Sequence, residues 1–141
     1  MATPRTILFL CPHNAAKSIL AAAYFESMAS ARTLDFRAAS AGTIPDAAPS
    51  PAVVAQLQSE GIDVSGHKPR QATLVELASA HRVISLGCSP EELAGFGRGV
   101  DRWDDVPPAS QDLAACRAAI RRHLEALWDE LDDSVPPAAA D

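Results

Sequence analysis

Residues 11–18 read CPHNAAKS, and the sequence on either side of this octapeptide has a recognisable pattern. Ahead of it, Ile7, Leu8, Phe9 and Leu10 form an apolar run without alternation, the pattern of a buried strand over 6–10. Behind it, Ile19 to Phe25 is rich in Ala and Leu and predicts a helix over 17–31. Cys11, Asn14, Lys17 and Ser18 therefore share one tight turn between a buried strand and a helix. A helix N-terminus presents unpaired N–H groups and a partial positive charge, and an oxyanion fits there. A thiol in such a place shifts toward thiolate, its nucleophilic form. Asn14 tolerates a left-handed backbone and can shape the loop. Ser18 can donate to the thiolate, and Lys17 adds a cation. A cysteine attacking a bound phosphate monoester forms a thiophosphate, and the loop stabilises the charge. Cysteine alone is more often a core filler. The four residues together are what indicate an anion site.

Outward from this turn, strands and helices alternate. A second strand is expected over 34–40 and a loop over 41–50. Ser50 before Pro51 is a helix start, and that helix runs to Glu60 and stops at Gly61. A loop follows over 66–70, then a short helix over 73–80, a strand over 82–86 and a fourth strand over 99–103. Residues 104–110 (DDVPPAS) exclude regular structure. A long amphipathic helix over 111–131 places Leu113, Ile120, Leu124, Leu127 and Leu131 on one face. Tyr24, Phe25 and Cys116 read as core, and His81 and His123 as surface residues. Alternating strands and helices predict an α/β fold, three-layer α/β/α around a four-stranded parallel sheet, with ligands at the carboxyl ends of the strands. CPHNAAKS lies at such an end. Residues 1–132 are expected to form one domain, and 133–141 an acidic, flexible tail.

Composition narrows the function classes. A chain of 141 residues with 48% hydrophobic content suits one independent core. A net charge of −6 argues against nucleic-acid or anionic-membrane binding as the main activity. Cysteines at 11, 88 and 116 form neither a disulfide framework nor a metal site, so no metal is expected and the expected compartment is the reducing cytoplasm. The N-terminal apolar run is shorter than the roughly 7–15 residues of a secretory h-region. No run approaches the ~20 residues of a membrane span. A nucleotide-binding P-loop, G-x-x-x-x-G-K-[ST], fits poorly. Lys17 and Ser18 match it, but Cys11 and Ala16 replace both glycines, and the strand over 82–86 ends without a magnesium-holding Asp.

CPHNAAKS resembles the C-x5-R-[ST] loop of the low-molecular-weight protein-tyrosine-phosphatase family, nearest its arsenate-reductase branch, in which His-Asn stands where His13-Asn14 stand. SAGT (40–43), GID (61–63) with HKPR (67–70), and RVISLGC (82–88) continue the resemblance in order, over roughly residues 5 to 131. It implies that Cys11 is the nucleophile in an oxyanion loop of Pro12, His13, Asn14, Ala15 and Ala16, that Asn14 shapes this loop, and that Ser18 supports the thiolate. His13 flanks the anion or is a plain loop histidine, and His67 fits a packing role. Three departures stand out. Lys17 replaces the arginine, which keeps charge but loses the bidentate fork. No Asp precedes a proline in WDDVPP (103–108), so Asp104 or Asp105 must serve as the acid if one acts; Asp105 is the candidate. Cys88 matches the first of two later redox cysteines, but the second, near Gly95, is absent, leaving Cys88 or an external thiol reductant to resolve Cys11. The implied function is a cysteine-dependent phosphatase or arsenate reductase acting on phosphate, arsenate or a phosphorylated substrate. The alternative is a weakened oxyanion- or partner-binding module on the same fold.

Overall fold

Successive side chains of the first strand build two cores at once. Ile7, Phe9 and Cys11 point to one face of the sheet, and Leu8 and Leu10 to the other, all buried. The computed structural model describes residues 5–32, 35–94 and 99–134. In chain order the elements are β1 (Arg5–Cys11), α1 (Lys17–Ala29), β2 (Phe36–Gly42), α2 (Pro51–Ser59), α3 (Leu74–Ser79), β3 (Arg82–Ser85), α4 (Pro90–Ala94), β4 (Asp101–Arg102) and α5 (Leu113–Ser134). The sheet order is β2-β1-β3-β4, with every pairing parallel. One face carries α1, α2 and α5 on Phe9, Phe25, Phe36 and Trp128; the other carries Leu77 of α3 and Leu93 of α4 on Leu8, Leu10 and Val83. This is the expected three-layer α/β fold.

The order places β1 between β2 and β3. The chain leaves β1 toward one neighbour and later returns on its other side, so the crevice at the carboxyl end of β1 is a topological switch point. CPHNAAKS occupies that crevice.

Local signals explain most boundaries. Ser50 caps α2 by accepting from Val53 N (3.4 Å), with Pro51 at the first helical position. Thr73 and Glu76 form a reciprocal capping box on α3. Several elements differ from expectation. β2 starts two residues later and continues through Ala41 and Gly42, which pair with Leu10 and Cys11. Leu34, the expected start, lies outside the described residues. α4 was not expected, although Ser89-Pro90-Glu91-Glu92 carries its signal: Ser89 N donates to Glu92 Oε1 (2.8 Å) and Glu92 N to Ser89 Oγ (3.1 Å). α5 runs to Ser134, past the expected end at Leu131, and residues 135–141 of the expected tail lie outside the described residues. Trp128, outside the predicted apolar stripe, is fully buried and stacks on Phe25 with ring centroids 4.5 Å apart. Among the described residues, no helix is long and apolar enough to cross a membrane.

Candidate active site

The loop between β1 and α1 is held open from outside. The carbonyls of Pro12, His13 and Ala15 accept from Ile44 N (2.7 Å), Asp46 N (2.9 Å) and Ser50 N (2.8 Å). The 44–50 segment thus takes up the loop's acceptors and turns them outward. Asn14 lies in the left-handed region (φ 48°), reversing the chain between its neighbours. The amides of His13, Asn14, Ala15, Ala16 and Lys17 then donate to no acceptor among the described residues. Ala16, at the N-cap of α1, supplies no side-chain cap. Five backbone donors at a helix N-terminus are therefore available to an anionic ligand.

The nucleophile candidate sits at the base of this nest. Cys11 Sγ is 3.0 Å from Ser18 Oγ and receives Ser18 N at 3.4 Å. Asn14 Nδ2 donates to Ser18 Oγ (2.8 Å), which leaves the Ser18 hydroxyl hydrogen free to point at the sulfur. Asn14 Oδ1 accepts from His67 Nε2 (3.1 Å) and from Arg70 N (3.0 Å). Nε2 of His67 must therefore carry a hydrogen. Burial, with Arg70 acting in the same direction, holds the His67 pKa below its usual value against the opposing bond to Asn14. Asn14 and Ser18 are wholly buried. The chain 67/70→14→18→11 orients every donor toward Cys11.

A cleft of about 240 Å³ opens over Cys11. Pro12, Ala15, Ala16, Pro108 and Ala109 give it apolar walls, and Lys17, Asp46 and Ser110 reach its rim. No Phe, Tyr or Trp lines it among the described residues. His13 Nδ1 lies 3.1 Å from Ile44 O and 3.3 Å from Asp46, so His13 braces the 44–46 segment. Lys17 Nζ donates to Val106 O (3.4 Å) and comes so near Gly87 that a Cβ there would meet it at 3.0 Å. The lysine thus links the cradle to the 104–110 loop.

The structure corrects the expectation for the acid. Asp105 does not line the cleft. Its Oδ1 lies 2.6 Å from His123 Nε2, and Arg122 stands 3.7 Å from Oδ2. The His123 bond leads in holding its carboxyl below the usual range, against slight desolvation. Asp104 pairs with Arg102 at 3.0 Å. Both loop carboxylates are paired elsewhere. His123 is more than a surface residue: it is half-buried and stacks on Trp103 at 4.6 Å. His81 is exposed, as expected. Cys88 and Cys116 are both buried free thiols. Burial pushes each of them up, and the neighbouring Cys11 acts in the same direction on both. Cys88 takes its backbone support from Ser85 Oγ (3.1 Å).

The role of Gly42 was not anticipated, although SAGT was singled out. A Cβ on Gly42 would lie 2.7 Å from Pro12 O and 3.0 Å from Asn14 Cβ. The glycine lets β2 run directly beneath the cradle. HKPR likewise earns its place through His67 Nε2 and Arg70 N on Asn14, a role that only the folded geometry reveals.

Comparison with known proteins agrees with this geometry. Residues 6–93 match the low molecular weight phosphotyrosine protein phosphatase family. The chain belongs to this family. A Halobacterium salinarum protein, provisionally named an arsenate reductase, is 30% identical over 131 residues, covering 92% of each chain. Among solved structures, YfkJ from Bacillus subtilis superposes with a TM-score of 0.81 at 22% identity, covering 96% of this chain and 99% of that one. The thioredoxin-dependent arsenate reductase of Corynebacterium glutamicum gives a TM-score of 0.76 at 24% identity, covering 96% of this chain and 66% of that one. This low-molecular-weight phosphatase homologue is thus of the cysteine-dependent phosphatase or arsenate-reductase type, a family whose enzymes need no metal cofactor.

Proposed function

We propose that this family member is an arsenate reductase in which Cys11 attacks arsenate held by the 13–17 amides. The observation that carries the reading is the set of five unpartnered amides around a sulfur already facing two donors from Ser18. Phosphate and arsenate are near-isosteres, so the choice between them rests on the leaving group. An alkyl or aryl phosphate needs its departing oxygen protonated, a service of about 10²–10⁴ in rate. Asp104 and Asp105 are ion-paired elsewhere, so neither is set to supply it. Arsenate carries its own protons, and its departing oxygen leaves as water.

The Cys11 thiolate attacks arsenic, an As–O bond breaks, and water departs. An incoming thiolate then attacks the Cys11 sulfur. The S–As bond breaks with its electron pair remaining on arsenic, so As(V) leaves as arsenite and Cys11 ends in a disulfide. A second thiol reduces that disulfide. Cys88, buried and held protonated, is a slow attacker, so the resolving thiol comes from outside: thioredoxin or a small cellular thiol. Lys17 serves as a point charge on the oxyanion once it leaves the Val106 carbonyl. The need for a reduced Cys11 supports a location in the reducing cytoplasm.

The test is arsenite production from arsenate with a thiol reductant, in wild type, Cys11→Ser and Cys88→Ser. Activity lost only in Cys11→Ser is the expected result. Arsenite formation equal in wild type and Cys11→Ser would overturn the reading. A second reading, a phosphatase confined to activated esters, is favoured by the same nest. A single-turnover burst from an activated aryl phosphate without any arsenite formation would select it. Phosphate raising the melting temperature without either activity would leave a binding module.

A further inference from the structure

A second cavity lies outside the Cys11 cleft. It is an open pocket of about 350 Å³ along the free edge of β2, between α1 and the 64–70 segment. Its floor is small and apolar: Ala22 and Ala23 of α1, Ala38 of β2 and Val64. A stripe of alanines alone signifies little. Ser40, however, also lines the pocket. It is 8% exposed, and its hydroxyl has no hydrogen-bond partner among the described residues. Its oxygen opens onto the pocket and is free to donate to, and accept from, a ligand there.

The backbone points the same way. Ala38 N donates outward to Glu26 (2.5 Å), and Gly42 N donates outward to Arg70 O (2.8 Å). Ser40 lies between them at the same strand parity, so its own N–H and C=O face the same outer edge. Arg70, anchored two residues along β2 from Ser40, also lines the pocket. Its guanidinium gives one nitrogen to Glu76 and keeps further donors. Glu26 occupies the opposite end, held by Arg37 at 3.2 Å. The polarity is thus fixed, with donors at the Ser40–Arg70 end, a carboxylate at the far end, and apolar floor between.

We propose that this pocket is a second ligand site, for a small carboxylate with a short apolar body. The carboxylate meets Ser40 Oγ and N–H and the Arg70 fork, whose planar geometry suits two coplanar oxygens. The apolar body lies on the alanine floor, and Glu26 keeps the anionic end at Arg70. Cys11 does not line this site, although His67 and Arg70, which do, also bond to Asn14 of the cradle.

Sodium phenylacetate serves as the probe, titrated calorimetrically into the full chain with and without saturating phosphate to fill the cradle. Wild type binds equally in both. Ser40→Ala and Arg70→Gln each weaken binding about tenfold, as loss of a charge-assisted hydrogen bond does. Ala23→Leu fills the floor and abolishes binding. Competition by phosphate, wild-type affinity in both Ser40→Ala and Arg70→Gln, or no binding by wild type overturns the proposal. Should Ala23→Leu fail to fold, the Ser40 and Arg70 variants decide alone.

Discussion

Asn14 is hydrogen-bonded on both ends of its amide while holding a backbone conformation that most side chains resist. Asn14→Ala removes the donor to Ser18, leaves His67 Nε2 and Arg70 N without an acceptor, and keeps the left-handed φ. The expected loss is about 2–4 kcal/mol, from the left-handed penalty plus one or two buried unsatisfied donors. Asn14→Gly removes only the hydrogen bonds and should recover part of that loss. Denaturant melts of the two variants separate the terms; equal stabilities would mean that the backbone contributes nothing. His67 adds a pH dependence of defined sign. Its folded pKa lies below the unfolded value of about 6.5, so the unfolded chain binds more protons in between. Its contribution is complete above pH 6.5 and declines as pH falls from there through the folded pKa. His67→Gln, which keeps a donor for Asn14, should flatten that part of the Tm–pH curve. A curve identical to wild type would show that His67 titrates alike in both states.

Among the elements, β2 shows what the sequence displays and what it withholds. Its existence follows from the alternation of strands and helices. Its true extent does not, because Ala41 and Gly42 have loop composition and become strand only through pairing with Leu10 and Cys11 and bonding to Arg70 and Ala72. Tertiary contacts override weak local preference here. α4 failed differently: its capping signal is complete in Ser89-Pro90-Glu91-Glu92, but five residues carry too little periodicity to stand out. The close approach of β2 to the cradle gives a direct prediction. In Gly42→Ala, the new methyl meets backbone at 2.7 Å, an atom that cannot swing aside. The Pro12 carbonyl must move, and with it the bond to Ile44 N and the aim of the amides. Cys11→iodoacetamide labelling should slow several-fold in Gly42→Ala, with stability lowered by about 1–3 kcal/mol, the usual cost of overpacking. Unchanged labelling with lowered stability would place the glycine's role in packing alone.

At the scale of the whole molecule, the candidate loop and its helix were legible because they are contiguous: strand, turn and helix lie within one stretch of chain. The acid was not, because Asp105 is defined by His123 and Arg122, eighteen and seventeen residues away on α5, and sequence assigns them no direction. The same holds for the clamp that fixes α1 in place. Glu60, just past α2, accepts from Tyr24 on α1 (2.6 Å) and from Arg117 (2.6 Å) and Arg121 (3.0 Å) on α5. Arg117 Nε also donates to the Tyr24 hydroxyl (2.9 Å), and the Arg121 guanidinium lies 4.3 Å above the Tyr24 ring. Three helices on one face of the sheet thus meet at one carboxylate, and α1 is the helix whose N-terminus forms the cradle. Burial of Glu60 opposes its charge, but the bonds from Tyr24 and Arg117 and the charges of Arg117 and Arg121 outweigh it, so the folded pKa lies below the usual value. The clamp's contribution is therefore present above the unfolded glutamate pKa of about 4.3 and is lost as pH falls through the folded one. Glu60→Gln should destabilise the protein by about 1–3 kcal/mol at pH 7, where charge-assisted hydrogen bonds are lost, and by progressively less in acid as the wild-type carboxyl protonates. Guanidinium melts of both proteins at neutral and acid pH measure the difference. A gap that stays constant with pH would mean that the Glu60 charge does not hold the three helices together.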